Sequence, residues 1–205
     1  MEAKTHWETV YGKKAPDAVS WYAPHLERSL AYLRKTGVAT NGSIIDVGGG
    51  ESTLVDDLVE AGYSNVTVLD ISERALEVAR ARLGDREARV TWLAADVLQH
   101  QFPKAAYDVW HDRAVFHFMT SEEQRRRYVQ QVLQALKPGG FAIVGAFGPD
   151  GPTQCSGLPV ARYGAEALHE EFGGPFQLVD HSVDTHTTPW GTPQQFVYCY
   201  CRLQH

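Results

Sequence analysis

The chain has 205 residues, 43% of them hydrophobic and 21% charged, a length and balance that suit a single globular α/β domain with a substantial core. A net charge of -6 argues against nucleic acid as a main partner, because phosphate binding wants a basic face and the basic residues here are scattered. No apolar stretch reaches the length of a membrane span, and the opening "MEAKTHWETVYGKK" lacks the apolar core of a signal peptide, so no membrane partner is expected.

Residues 1–40 read as helical and aromatic. Trp7, Val10 and Tyr11 share one helical face, and Leu26, Leu30 and Leu33 follow the same spacing. From Ser43 onward strands alternate with helices. "SIIDVG" reads as a buried strand, and "STLVDDLVEAG" as a helix capped by Ser52 and stopped by Gly62. "NVTVLD" is a second strand, followed by the helix "SERALEVARARLG"; "RVTWLAAD" and "AYDVWHDR" are the third and fourth strands. "SEEQRRRYVQQVLQALKPGG" carries a capping box, Ser121 with Gln124, and is expected to end at a Pro-Gly-Gly turn, with the Arg125–Arg127 run on a solvated helix face. "FAIVGAF" is the fifth strand. A long loop, a helix "GAEALHEEFG" and two β segments, "FQLVDHSVDTHT" and "QQFVYCYCRL", complete the chain. The alternation predicts a doubly wound α/β architecture: a parallel sheet, right-handed crossovers, and helices on both faces. The organisation expected is one domain over 1–205, a helical cap (1–40) on a Rossmann-like core (41–205).

In such sheets ligands bind beyond the carboxyl ends of the strands, at the point where strand order reverses. The chemistry-bearing residues stand at those ends. Gly48, Gly49 and Gly50 follow Asp46 on the first strand, allowing positive φ and close backbone approach by a ligand. No G-K-[ST] follows, which excludes a P-loop, and Thr53 stands where the dinucleotide fingerprint needs its last glycine. Asp70 closes the second strand, where a carboxylate can accept hydrogen bonds from two ribose hydroxyls. The third strand ends "AADV", putting Asp96 and Val97 where an adenine edge can be met. The three cysteines, Cys155, Cys199 and Cys201, form no metal or redox spacing, nor do His181 and His186; no metal and a reducing, cytoplasmic setting are expected. Cys199 and Cys201 would share one strand face as small core residues.

With "IIDVGGGES", "VTVLDIS", "AADV", "YDVWHDRAVFHF" and "LKPGGFAIVGAF" in this order, the chain resembles class I S-adenosylmethionine-dependent methyltransferases from about Ile44 to Phe147, and more loosely to the C-terminus. The resemblance implies a Rossmann-like, seven-stranded, mostly parallel sheet with an antiparallel C-terminal strand. The family's acid-x-G-x-G-x-G motif is matched by Asp46, Gly48 and Gly50, with Ser52 replacing the last glycine. By the same carry-over, Asp46, Gly48, Gly49, Gly50 and Ser52 would meet the amino-acid end of S-adenosylmethionine. Asp70 would hold the ribose, and Ile71, Asp96 and Val97 the adenine. His111 would contact the methionine part, and Trp7 and Tyr11, in a W-x-x-x-Y segment like that of several subgroups, would close over the cofactor.

His111 and His117 are the candidate bases, since histidine titrates near neutrality, although His117 sits in the apolar pattern "AVFHFM" that suits a packed side chain. Asp112 and Arg113 are open between a local ion pair and a substrate contact. Cys155 reads as a packed thiol, Arg162 as a surface ion-pair partner, and the loop "GPDGPTQCSGLPVARY" as the substrate-recognition element. The expected reaction is methyl transfer to a small-molecule acceptor, leaving S-adenosylhomocysteine. A protein-lysine methyltransferase of the same fold stands as the alternative, as do an NAD-binding protein and a non-catalytic nucleotide-binding module. Oligomeric state is not legible.

Overall fold

The computed structural model describes residues 3–204. Two helices, α1 (Ala3–Lys13) and α2 (Glu27–Thr36), precede strand β1 (Ser43–Val47). The core then runs α3 (Leu54–Glu60), β2 (Asn65–Asp70), α4 (Glu73–Leu83), β3 (Val90–Ala94), β4 (Tyr107–Arg113), α5 (Glu122–Ala135) and β5 (Leu136–Phe147). A short hairpin, β6 (Gln154–Cys155) and β7 (Leu158–Pro159), leads to α6 (Ala165–Phe172), β8 (Phe176–Thr187) and β9 (Pro193–Leu203).

Seven strands form one sheet in the order β3-β2-β1-β4-β5-β9-β8. β1 pairs in parallel with both β2 and β4, and β5 extends the parallel set. β9 is antiparallel to β5 on one side and to β8 on the other, so the antiparallel strand lies inside the sheet. Strand order reverses between β1 and β4, which opens a crevice at their carboxyl ends. β1 is buried along its whole length. Ile44 and Ile45 are 0% exposed and belong to the cores on opposite faces. Burying each contributes about 1.5–3 kcal/mol, which anchors the strand from both sides and delivers Asp46 to a defined place.

Local chemistry explains most of the element ends. Ser72 Oγ accepts from the Ala75 amide (3.3 Å) and caps α4, and the capping box of Ser121 and Gln124 starts α5. Leu54, Val55, Leu58 and Val59 are buried in α3, the face expected from their spacing. Cys199 and Cys201 are buried together on one face of β9.

Four expectations shift. α3 begins at Leu54 with Thr53 as the boundary residue, one position later than a Ser52 cap implies; Ser52 Oγ still accepts the Leu54 amide at 3.2 Å. β3 ends at Ala94, so Asp96 lies in the turn beyond it. Pro138-Gly139-Gly140 belongs to β5: Leu136 already pairs with Tyr107, and the register slips before Val109. Gly140 has no space for a side chain there, since a Cβ would stand 2.9 Å from the Lys137 carbonyl oxygen and 3.0 Å from that of Asp108. Finally, the loop after β5 holds the β6–β7 hairpin, turned by Ser156 and Gly157 at φ +51° and +79°.

Candidate active site

The carboxyl ends of β1, β2 and β4 converge on a cleft of ≈ 310 Å³ and a smaller adjoining cavity of ≈ 30 Å³; Tyr11, Trp21, Gly48 and Arg113 line both. Asp46, 3% exposed, lines the small cavity. Its Oδ1 accepts from His111 Nδ1 at 2.7 Å, and His111 Nε2 lies 2.8 Å from Ser29 Oγ. With Nδ1–H donating to the carboxylate, the Nε2–Ser29 Oγ bond fixes the ring at its second nitrogen, in a direction that depends on the tautomer. Asp46 Oδ2 is buried without a hydrogen-bond partner.

The glycine turn is tighter than a generic amide cradle. The amides of Gly48 and Gly49 both bond to the Leu69 carbonyl (2.7 and 3.2 Å), so they are spent on fastening the turn to β2 rather than presented to a ligand. What the glycines supply is room. Gly48 has φ +71°, and a Cβ there would sit 2.0 Å from Val115 Cγ2. A Cβ on Gly50 would stand 2.8 Å from Asp70 Oδ2 and 3.0 Å from the Tyr11 hydroxyl.

Asp70 is 5% exposed, with Oδ1 accepting from the Ser72 amide at 2.8 Å. Burial pushes its carboxyl up to about 7, against the pull of that hydrogen bond. Ile71, Asp96 and Val97 line the same cleft. Asp96 uses both oxygens locally: Oδ1 accepts from the Leu98 amide (2.8 Å) and Oδ2 from Gln99 Nε2 (2.9 Å). An Asx-type turn therefore shapes this wall, leaving only the carboxylate's remaining lone pairs for a ligand.

α1 roofs the cleft. Trp7 packs edge-on against Trp21 and Phe118, with ring centroids 6.0 and 5.2 Å apart, and Tyr11 packs against Trp21 at 6.0 Å. Glu8 Oε1 accepts the Glu73 amide at 2.8 Å, a carboxylate at the positive end of α4 that docks the roof. The far wall is Phe118, Met119 and the hairpin residues Cys155, Leu158 and Pro159.

The structure separates the two candidate histidines. His111 lines the small cavity but is held at both nitrogens. His117 is 0% exposed, lines neither cavity, packs on Phe147 (4.4 Å) and has no partner at either nitrogen. Burial first, then Arg113, lower its pKa to about 3. It is a neutral packing residue, more deeply buried than the sequence pattern implies. Asp112 and Arg113 do not pair. Asp112 accepts the Val115 and Phe116 amides (2.8 and 3.0 Å) and the Tyr128 hydroxyl, organising the turn after β4. Arg113 lies over the Phe196 ring at 4.4 Å and donates to the Trp21 carbonyl at 3.0 Å. Burial raises the Cys155 thiol to about 11, which removes its nucleophilicity at neutral pH. Arg162 binds the Pro149 and Gly151 carbonyls rather than a carboxylate, closing its own loop. Of the arginine run, Arg125 pairs with Glu171 (2.8 Å), Arg126 with Glu122, and Arg127 donates to the Leu98 carbonyl, so two of the three bind other segments.

Residues without a motif complete the site. Glu51, 4% exposed, lines the small cavity with Oε2 unpartnered, and burial raises its carboxyl to about 7. Arg82 reaches from α4 to the Glu51 and Ser52 carbonyls (2.9 and 2.6 Å) while pairing with Asp56 (2.7 Å), clamping the end of the glycine turn. Ser29 and Arg82 sit on helices at positions that look like ordinary polar faces, so periodicity gives no signal for them. Glu51 had one: an acid inside an apolar-flanked glycine turn.

A family model described as a methyltransferase domain matches residues 44–140. The eEF1A lysine and N-terminal methyltransferase of Bos taurus is 26% identical over 141 residues, covering 66% of this chain and 20% of that protein. The chain thus spans about a fifth of the length of such relatives. EEF1A lysine methyltransferase 2 of Danio rerio is 25% identical over 193 residues, 87% of this chain and 77% of that one. A solved structure described by the conversion of a disulfide bond into a thioacetal group during echinomycin biosynthesis has the same fold, with a TM-score of 0.79 at 21% identity and coverage of 98% and 93%. Sheet order, strand-end acids and glycine turn define a doubly wound α/β architecture with its cleft at the point where strand order reverses. The segment 44–140 is thus similar to methyltransferase domains, and the fold is one that S-adenosylmethionine-dependent methyltransferases of solved structure share.

The residues present fit that family's cofactor. Side-chain room is denied at Gly48 and Gly50, the Asp70 carboxylate is buried on the cleft wall, and the orphaned Asp46 and Glu51 oxygens ask for a cationic partner.

Proposed function

We propose that this chain transfers a methyl group from S-adenosylmethionine to a small-molecule acceptor seated between α1 and the β6–β7 hairpin. The observation that carries this reading is the cleft's composition. Asp70 is buried in its wall, and Trp7, Trp21, Phe118, Leu158 and Pro159 line it as an apolar chamber roofed by α1. When bound, S-adenosylmethionine supplies a methyl group already activated by its sulfonium. Asp70 would hold the ribose, Ile71 and Val97 would flank the adenine, and Asp46, through His111 and Ser29, would orient the amino-acid end.

The chain's remaining task is alignment and exclusion of water, for which apolar walls and a fixed roof suffice. The candidate bases support no proton abstraction: His111 is held at both nitrogens, His117 is off the cleft, and the Cys155 thiol titrates at about 11. An acceptor nucleophilic without help from a protein base, such as a thiol or an amine, suits this site best.

A second reading, transfer to a protein lysine, draws on the names of the two curated relatives. Methyl-labelled S-adenosylmethionine added to a cell extract separates the two. The small-molecule reading expects label in the low-molecular-weight fraction; label confined to protein, in an acid-stable form, overturns it. A soluble enzyme is consistent with both; among the described residues no helix is long and apolar enough to cross a membrane.

A further inference from the structure

The small cavity beside the glycine turn contains a feature that the family motif does not account for. Two acids line it, Asp46 and Glu51, at 3% and 4% exposure. Asp46 Oδ2 and Glu51 Oε2 are both buried with no hydrogen-bond partner. Two buried, unpaired carboxylate oxygens on residues that line one cavity are costly unless a cation joins them.

The neighbouring cations do not fill that role. Arg82, from α4, gives its guanidinium to Asp56 and to the Glu51 backbone carbonyl, not to the Glu51 carboxylate. His111, from β4, bonds the other oxygen of Asp46 and is tied to Ser29 at its second nitrogen, so it does not reach the unpartnered oxygens. Arg113, also from β4, lines the cavity but lies on Phe196 and the Trp21 carbonyl, and makes no ion pair among the described residues. Tyr11, from α1, has its hydroxyl pushed to higher pKa by burial and then by Asp70 and Glu51, so it adds no positive charge. A cavity with two orphaned acid oxygens and an unpaired guanidinium in its lining is complementary to a zwitterion.

We propose that Glu51 is a second cofactor-binding acid, which with Asp46 receives the protonated α-amino group of the cofactor's methionyl end. This rests on the S-adenosylmethionine reading above and extends it to a residue outside the acid-x-G-x-G-x-G matches. Glu51 acts on the tail only. It anchors the amino-acid tail while Asp70 anchors the ribose, so the two acids hold the ligand on either side of its sulfur.

Calorimetry with two probes tests this, because S-adenosylhomocysteine carries the amino-acid tail and 5′-methylthioadenosine lacks it. In Glu51→Gln the S-adenosylhomocysteine dissociation constant should rise about ten- to a hundredfold, the range for a charge-assisted hydrogen bond, while that of methylthioadenosine stays within about twofold. The ratio of the two affinities should favour S-adenosylhomocysteine more strongly in the wild type as pH rises from 6 to 8, as the buried Glu51 carboxyl ionises, and should flatten in the variant. Unchanged S-adenosylhomocysteine affinity in Glu51→Gln, or an equal loss for both probes, overturns the role of Glu51 and leaves the cofactor reading intact. Absence of S-adenosylhomocysteine binding to the wild type overturns both.

Discussion

At the acid end of the site Asp46 and Glu51 line the small cavity and Asp70 the cleft beside it, at 3%, 4% and 5% exposure, on two strand ends and the turn between them. The apolar end is lined by Trp7, Phe118 and Leu158, which arrive from three separate segments and meet only by packing. The acid end is built from backbone: parallel pairing aligns Asp46 with Val68 and His111, and Leu69 holds the glycine turn. The apolar end is built from side chains laid over that frame. One end is thereby suited to a fixed ligand, and the other to a variable one.

The contrast breaks most sharply at Asp70. Asp70→Ala should weaken S-adenosylhomocysteine binding by roughly 1.5–3 kcal/mol in calorimetry, as loss of charge-assisted hydrogen bonds requires. Unchanged affinity would remove Asp70 from the site. The same residue leaves a mark on stability. Its folded pKa of about 7 lies above the ordinary carboxylate range, so between about pH 4 and pH 7 the folded state binds a proton that the unfolded state lacks. Its contribution to stability is therefore present at low pH and lost as pH rises through 7. Melting of the ligand-free protein should fall less from pH 5 to pH 8 in Asp70→Asn than in the wild type; identical profiles would contradict this.

His111→Ala comes next. It breaks the Asp46–His111–Ser29 chain and leaves a buried carboxylate without its donor, a loss of about 1–3 kcal/mol of folding stability in denaturant titration. At the apolar end, Leu158→Ala should raise the acceptor KM about three- to tenfold, for a contact worth about 1 kcal/mol, with S-adenosylhomocysteine affinity within about twofold. A parallel loss of cofactor affinity would mean that the two ends are not separable.

The smallest effect is expected at His117. Its nitrogens are unpartnered in an aromatic setting, so His117→Phe should cost under about 1 kcal/mol or stabilise, and should leave turnover unchanged. Because its folded pKa is about 3, the unfolded state gains a proton first as pH falls below 6.5. The phenylalanine variant should therefore gain more at pH 5 than at pH 8. Lost turnover at saturating substrate would return His117 to the list of bases.

Legibility in the sequence follows the same division. The α/β alternation exposed the sheet, and Asp46, Asp70 and the glycines were readable because topology alone puts strand ends at the crevice. The use of the glycine amides was not readable, since nothing in "VGGG" shows that Leu69 takes those of Gly48 and Gly49. Arg82, Ser29 and Glu8 act across distances of tens of residues, where side-chain periodicity carries no information. The hairpin that carries Cys155 and Leu158 is only two residues per strand, too short for an alternating pattern.

Calorimetric titration of the wild-type protein with S-adenosylhomocysteine and, separately, with NADH tests the central assignment most directly. Saturable binding of S-adenosylhomocysteine, weakened about ten- to a hundredfold in Asp70→Ala and absent with NADH, is the predicted result. Tight NADH binding without S-adenosylhomocysteine binding would contradict it.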